Sequence, residues 1–138
     1  DDARRAGATI LGGGRQTGQA NTFVEPCVVM GAGPQSPILR EEVFGPVLVA
    51  QAYDDLSDVV ESANDSDYGL AASIWTQNLS DAHRLSKRIR AGTVWINCHL
   101  MYDAALPIGG VKQSGWGRDS GQAAMENYLE WKTVCAVV

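Results

Sequence analysis

The apolar positions of this chain change period along its length. Residues 8–11 (ATIL) and residues 23–30 read as extended segments. Pro26 interrupts the second; it lacks the amide hydrogen a ladder needs, so it predicts an edge strand or a break. Residues 47–50 (VLVA) are apolar without alternation, the pattern of a strand buried on both faces. The period then becomes helical. Leu56, Val59, Val60 and Ala63 fall at i, i+3, i+4 and i+7 on one stripe. Asp54 or Asp55 is placed to cap that helix, and residues 64–68 break it. Residues 70–75 (LAASIW) predict the next buried strand. Ser80 can cap a second helix with Ala82, Leu85 and Ile89 on its inner face. Gly92 suits the left-handed residue that ends a helix. Residues 93–97 (TVWIN) form a third strand.

Strands alternating with helices over short connections predict an α/β fold. Its β-α-β-α-β core would be an open parallel sheet of residues 47–50, 70–75 and 93–97 with flanking helices. Residues 98–120 follow as a long loop, a length usually kept for function. A short helix at residues 121–130 and a strand at residues 132–138 complete the reading. Residues 1–6 read as the tail of a helix, so the chain is expected to begin within a larger structure.

Composition narrows the function classes. The 138 residues suffice for one hydrophobic core, and 45% of them are apolar. A net charge of −5 opposes nucleic acid and anionic membrane as partners. The one basic cluster, Arg84, Lys87, Arg88 and Arg90, falls in the last turns of a predicted helix, where cations complement the helix dipole. No apolar run approaches the ~20 residues of a membrane helix, and the first residues do not resemble a signal peptide. Cys27, Cys98 and Cys135 are odd in number and form neither CxxC nor zinc spacing, which points to a reducing, cytoplasmic setting. His83 and His99 do not complete a ligand set, so no metal site is expected.

Residues 12–18 (GGGRQTG) look like a phosphate loop but lack the Lys-Ser/Thr ending, so a glycine-rich hairpin turn is the expectation. A dinucleotide fold needs glycines at its first strand–helix turn, whereas here Tyr53-Asp54-Asp55 would repel phosphate. That opposes an independent nucleotide-binding domain. Glu41-Glu42-Val43-Phe44-Gly45-Pro46 precedes a buried strand. It reads either as a charged loop or as a carboxylate for ribose hydroxyls beside an aromatic for a flat ring.

Four ordered motifs decide between these readings. EEVFGP, NDSDYGLAA, GTVWIN and PIGGVKQSGWGRDSG together resemble the aldehyde dehydrogenase superfamily over nearly the whole chain. In the last motif Pro107, Gly109, Gly110, Lys112, Ser114, Gly115, Gly117, Arg118 and Gly121 stand at the family's spacing. The resemblance implies that residues 1–127 are the C-terminal part of the catalytic domain and residues 128–138 an oligomerisation strand. It implies NAD or NADP as cofactor, with Glu42 on the nicotinamide ribose, Phe44 near the nicotinamide and Leu70 approaching the reaction centre. Leu100, Met101 and Tyr102 belong to the loop that lines the substrate entrance, and Ile108 stands where the family often has phenylalanine. Lys112 and Gly115 match positions whose backbone carbonyls hold a monovalent cation in some members.

The implied chemistry is thiolate attack on an aldehyde, hydride transfer to the nicotinamide, and hydrolysis of the thioester by water activated by a glutamate. The family's cysteine, glutamate base, oxyanion asparagine and phosphate-binding helix lie upstream of this segment, so no catalytic residue is expected here. Cys98 borders the substrate loop, and a small apolar cysteine needs no catalytic explanation. Gly121-Gln122-Ala123-Ala124 imitates the nucleophile segment but ends in alanine. The expected substrate is a medium-sized apolar or aromatic aldehyde. Val134, Ala136, Val137 and Val138 would leave a sticky edge in a monomer, so a homo-dimer or homo-tetramer is expected. The expected function is therefore part of an aldehyde-oxidising enzyme, inactive by itself. A standalone non-catalytic scaffold or oligomerisation module derived from the same fold is the alternative.

Overall fold

The computed structural model describes residues 1–17 and 22–138, so Gly18 of the glycine-rich loop lies outside the described residues. The chain divides into two compact units, Asp1–Asp55 and Leu56–Val138.

The first unit opens with α1 (Asp2–Arg5), helical as expected of residues 1–6. It is built on a three-stranded mixed sheet of β1 (Thr9–Gly12), β4 (Cys27–Met30) and β5 (Val47–Ala50), in that order. β4 is central, antiparallel to β1 with Thr9 opposite Met30, and parallel to β5 with Cys27 opposite Val47. Pro26 therefore marks a break and not an edge. It separates β4 from β3 (Phe23–Val24), which pairs antiparallel with β2 (Gln16–Thr17). The glycine run is also not a turn within residues 12–15. Gly13 and Gly14 donate their amides to Pro26 and Glu25 carbonyls at 3.3 and 3.1 Å, and Glu25 donates back to Arg15 at 3.0 Å. The glycines carry the chain from the β1 pairing to the β2 pairing. A Cβ on Gly12, whose φ is +90°, would lie 2.8 Å from the Pro26 carbonyl oxygen. Val29 is the centre of the core, packed with Ala3, Ala8 and Ala32 against Ile10, Ile38, Leu39, Val47 and Val49. Ile38 and Leu39 come from α2 (Pro37–Arg40), which starts on a proline whose fixed φ suits a first helical turn.

The second unit contains α3 (Leu56–Asn64), β6 (Tyr68–Gly69), β7 (Ala71–Ile74), α4 (Leu79–Arg88), β8 (Thr93–Ile96), β9 (Val111–Lys112) and α5 (Gly121–Met125). β7 and β8 are parallel, with Ser73 opposite Trp95. β6 and β9 are antiparallel. The α/β class stands, but the strand partners differ from the expected single parallel sheet: β5 pairs with β4, while β7 and β8 pair with each other. Nor are these runs buried throughout as expected: Leu48, Leu70 and Trp75 are exposed. An apolar run does not identify the neighbouring strand. The predicted stripes do form the core. Val60 from α3, Leu85 from α4 and Ile74 from β7 are buried together, with Leu56, Ile89 and Val94 against them. Ala63, expected on that stripe, is exposed.

Five local expectations change. Asn78, two residues before Ser80, caps α4, its side-chain oxygen accepting from the amides of Ser80 and Asp81 at 3.0 and 3.3 Å. Gly92 is not left-handed. It is glycine because a Cβ there would sit 1.7 Å from the Gly109 carbonyl oxygen. The long loop carries β9 and an antiparallel bridge between Ile108 and Asp119. The last helix is shorter than expected, ending at Met125 in a 3₁₀ turn, Glu126–Tyr128. Residues 129–138 are exposed and join no strand among the described residues. Among those residues no helix is long and apolar enough to cross a membrane.

Candidate functional site

In the first unit the EEVFGP segment is the connection from α2 to β5. Glu41 takes an extended conformation that stops the helix (φ −105°, ψ 145°). Two tight backbone contacts then shorten the chain, Gly45 donating to Val43 and Val47 to Gly45, both at 2.8 Å. Cys27 donates to the Pro46 carbonyl at 3.1 Å and so starts the parallel ladder. The segment is thus held at its C-terminal end by the sheet. Glu42 is exposed, and the Phe44 ring is 97% exposed. A ring left in water has about 2 kcal/mol of burial still to gain, so it is available for contact with a ligand or another surface. A carboxylate that accepts hydroxyls beside a free flat ring fits the ribose and ring end of a dinucleotide. With Glu41 and Glu42 adjacent, the same segment does not suit phosphates.

In the second unit Leu70 lies between β6 and β7 and is exposed, while its carbonyl accepts from the Thr93 amide at 3.2 Å. The loop after β8 is organised by Asn97 and Trp95. Asn97 has a φ of +54°, a left-handed conformation that asparagine tolerates better than most residues. Its amide reaches Thr76 twice, and the chain reverses. Trp95 is 8% exposed, and its indole N–H donates to the Met101 carbonyl at 2.9 Å. Its ring meets His99 and Tyr102 edge-on, with centroids 5.3 and 5.6 Å away. The His99 Nδ1 lies 2.8 Å from the Ser73 Oγ. Leu100 and Met101 point their apolar side chains outward, 57% and 67% exposed. Asp103 closes the loop, its carboxylate accepting from Ala105 at 2.8 Å.

The PIGGVKQSGWGRDSG motif is a scaffold in this geometry. Ile108 is half-buried and exchanges both backbone bonds with Asp119 at 2.7 Å. Gly69 donates to the Ser114 hydroxyl at 3.0 Å. Lys112, at φ +56°, sends its ammonium back to the carbonyls of Asn64 and Ser66 at 2.8 and 2.7 Å, where the C-terminal end of α3 favours a cation. Its own carbonyl accepts from Gly115 at 3.3 Å. Arg118 donates to the Gly110 and Gly117 carbonyls at 2.7 and 2.8 Å. Among the described residues no group of His, Cys, Asp and Glu side chains could hold a metal ion. Cys27 and Cys98 are half-buried thiols, and Cys135 is an exposed one.

Glu42 and Phe44 thus stand in the first unit, and Leu70, Leu100, Met101, Tyr102 and Ile108 in the second. The sequence reading missed Ser73 and Trp95. A signal was available for the second: a buried indole N–H requires an acceptor.

A model of the aldehyde dehydrogenase family matches residues 1–134. DhaS of Bacillus subtilis (strain 168) is 48% identical over 128 residues, which are 93% of this chain and 26% of that protein. The mitochondrial benzaldehyde dehydrogenase of Antirrhinum majus is 43% identical over 129 residues, 94% of this chain and 24% of the relative. Among solved structures, a mutant of the P. syringae AldA indole-3-acetaldehyde dehydrogenase in complex with NAD+ and IAA superposes with a TM-score of 0.90 at 42% identity. It covers 95% of this chain and 27% of that one. An NAD+ complex of aldehyde dehydrogenase from Bacillus cereus gives a TM-score of 0.87 at 43% identity, over 94% and 26% of the two chains. The chain belongs to the aldehyde dehydrogenase family. It spans about a quarter of the length of the curated relatives it matches.

Proposed function

We propose that this chain is the C-terminal part of an NAD(P)-dependent aldehyde dehydrogenase that oxidises an apolar or aromatic aldehyde to a carboxylic acid by cysteine thioester chemistry. The observation that carries the reading is the pairing of an exposed carboxylate, Glu42, with a fully exposed ring, Phe44, on a connection held by the sheet, in a chain matched by the family over residues 1–134. Bound NAD+ in the solved AldA and Bacillus cereus relatives supports the same cofactor class. Glu42 accepts the nicotinamide-ribose hydroxyls, Phe44 packs near the nicotinamide, and Leu70 faces the reaction centre. Leu100, Met101, Tyr102 and Ile108 contribute the apolar wall for the aldehyde. The cofactor supplies the hydride acceptor; these residues bind and orient.

The nucleophile and the phosphate-binding groups are residues beyond these 138. The isolated segment therefore oxidises no aldehyde, and NADH formation by pure segment, free of longer protein, would overturn this. Residues 128–138 act as an oligomerisation strand in a homo-dimer or homo-tetramer. The three unpaired thiols suit a reducing compartment such as the cytoplasm. The test of the site is Glu42→Ala in the full-length protein. It raises the KM for NAD+ by about tenfold, the worth of a charge-assisted hydrogen bond, and leaves the aldehyde KM within about twofold. Unchanged NAD+ kinetics would remove Glu42 from the cofactor site.

A further inference from the structure

The proposed substrate loop is not free to choose its shape, and the groups that hold it are outside the wall just assigned. Ser73 on β7 stands directly opposite Trp95 on β8, so both side chains leave the parallel pair on the same face. The chain then reverses at Asn97 and passes over that face. His99 lies against the Trp95 ring edge and makes its hydrogen bond with Ser73, Met101 gives its carbonyl to the indole N–H, and Tyr102 returns to the same ring. One residue bears a cost for this path. Leu100 has a φ of +54°, which a leucine adopts at roughly 1 kcal/mol or more. A left-handed leucine persists only when its neighbours on both sides are fixed. The fixed neighbours here are His99, by Ser73, and Met101, by Trp95. The strained residue and Met101 both present their apolar side chains to solvent, beside Tyr102, which is exposed to a similar degree.

We propose that Ser73 and His99 are positioning residues for aldehyde selectivity: their hydrogen bond holds Leu100 and Met101 outward as a preformed apolar rim for a flat, medium-sized aldehyde tail. The Trp95 indole supports the other end of the same clamp. A preformed rim lowers the ordering cost of binding a tail that reaches it and gives nothing to a tail too short to do so. The inference rests on the loop being the substrate rim, as proposed above.

The test uses the full-length enzyme with phenylacetaldehyde and acetaldehyde. Ser73→Ala and His99→Phe, the latter keeping an aromatic edge against Trp95, each raise the phenylacetaldehyde KM by about fivefold, the usual worth of one hydrogen bond. In both, kcat changes by less than about twofold, and the preference for phenylacetaldehyde over acetaldehyde in kcat/KM falls by about fivefold. His99→Asn places a polar atom close to the position of Nδ1 and restores most of the preference. Met101→Ala reports on the rim itself and lowers the same preference. If Met101→Ala lowers it while Ser73→Ala and His99→Phe do not, the clamp is wrong and the rim stands. If His99→Asn loses as much as His99→Phe, the hydrogen bond is not the cause and the inference falls. If none of the four variants alters the preference, the loop is not the substrate rim.

Discussion

The side-chain amide of Asn97 makes a two-point contact with one residue: its Oδ1 accepts from the Thr76 amide and its Nδ2 donates to the Thr76 carbonyl, both at 2.9 Å. Thr76 follows the end of β7 and Asn97 follows the end of β8, so the amide ties together the points where the parallel strands stop. Its geometry matches one further ladder rung made by a side chain. Asparagine suits the position twice, because it also accepts the φ of +54°.

Two substitutions separate those contributions. Asn97→Ala loses both bonds and keeps an L side chain in a left-handed conformation, a loss of about 2–3 kcal/mol. Asn97→Gly loses the same bonds but relaxes the backbone, so the loss is about 1 kcal/mol smaller. Chemical denaturation of the full-length protein measures the difference. Equal losses would show that the backbone conformation contributes nothing.

Close backbone packing gives a sharper test at Gly92. A methyl group there would overlap the Gly109 carbonyl, which is backbone and cannot rotate away. Gly92→Ala is expected to lower stability by more than about 3 kcal/mol or to abolish soluble protein. Gly33→Ala is the control: nothing lies within 4 Å of its added carbon, and its φ is not left-handed. It should stay within about 0.5 kcal/mol of the parent. A tolerated Gly92→Ala would mean that the first glycine of the Gly109-Gly110 pair does not approach β8 as described.

These two residues also show what was legible beforehand. The strand expected at residues 93–97, found at Thr93–Ile96, was legible because Val94, Trp95 and Ile96 follow one another without a polar break, and the helices because Val60 and Leu85 fall on apolar stripes. Those patterns are local and survive in any context. Partners are not local. Val47 to Ala50 carry no mark showing that residues 27–30 would lie beside them. β9 could not be seen because two residues gain strand geometry only when Tyr68 and Gly69 arrive from some forty positions away. Gly92 was read as a helix stop because sequence shows the missing side chain and not the carbonyl that needs the space. The site followed the same division. Glu42 and Phe44 were legible through a motif, whereas the Ser73–His99 contact depends on a chain reversal that only the folded loop provides.

The C-terminal residues set the last prediction. Trp131, Val134, Val137 and Val138 are all largely exposed, Trp131 at 103% and so without cover from the described residues. Burying them would recover about 1.5–3 kcal/mol for each large apolar side chain. Residues 132–138 join no strand among the described residues, and the role proposed for them is to complete a sheet on a second subunit. Val134→Asp combined with Val137→Asp puts two carboxylates into that surface, where each would be buried without a partner. Sedimentation of the full-length protein should then shift from dimer or tetramer to monomer at micromolar concentration, and its thermal midpoint should fall. The double variant of a strand that merely lies on solvent would change neither. An unaltered sedimentation coefficient would therefore remove residues 128–138 from the subunit interface while leaving the cofactor assignment of Glu42 untouched.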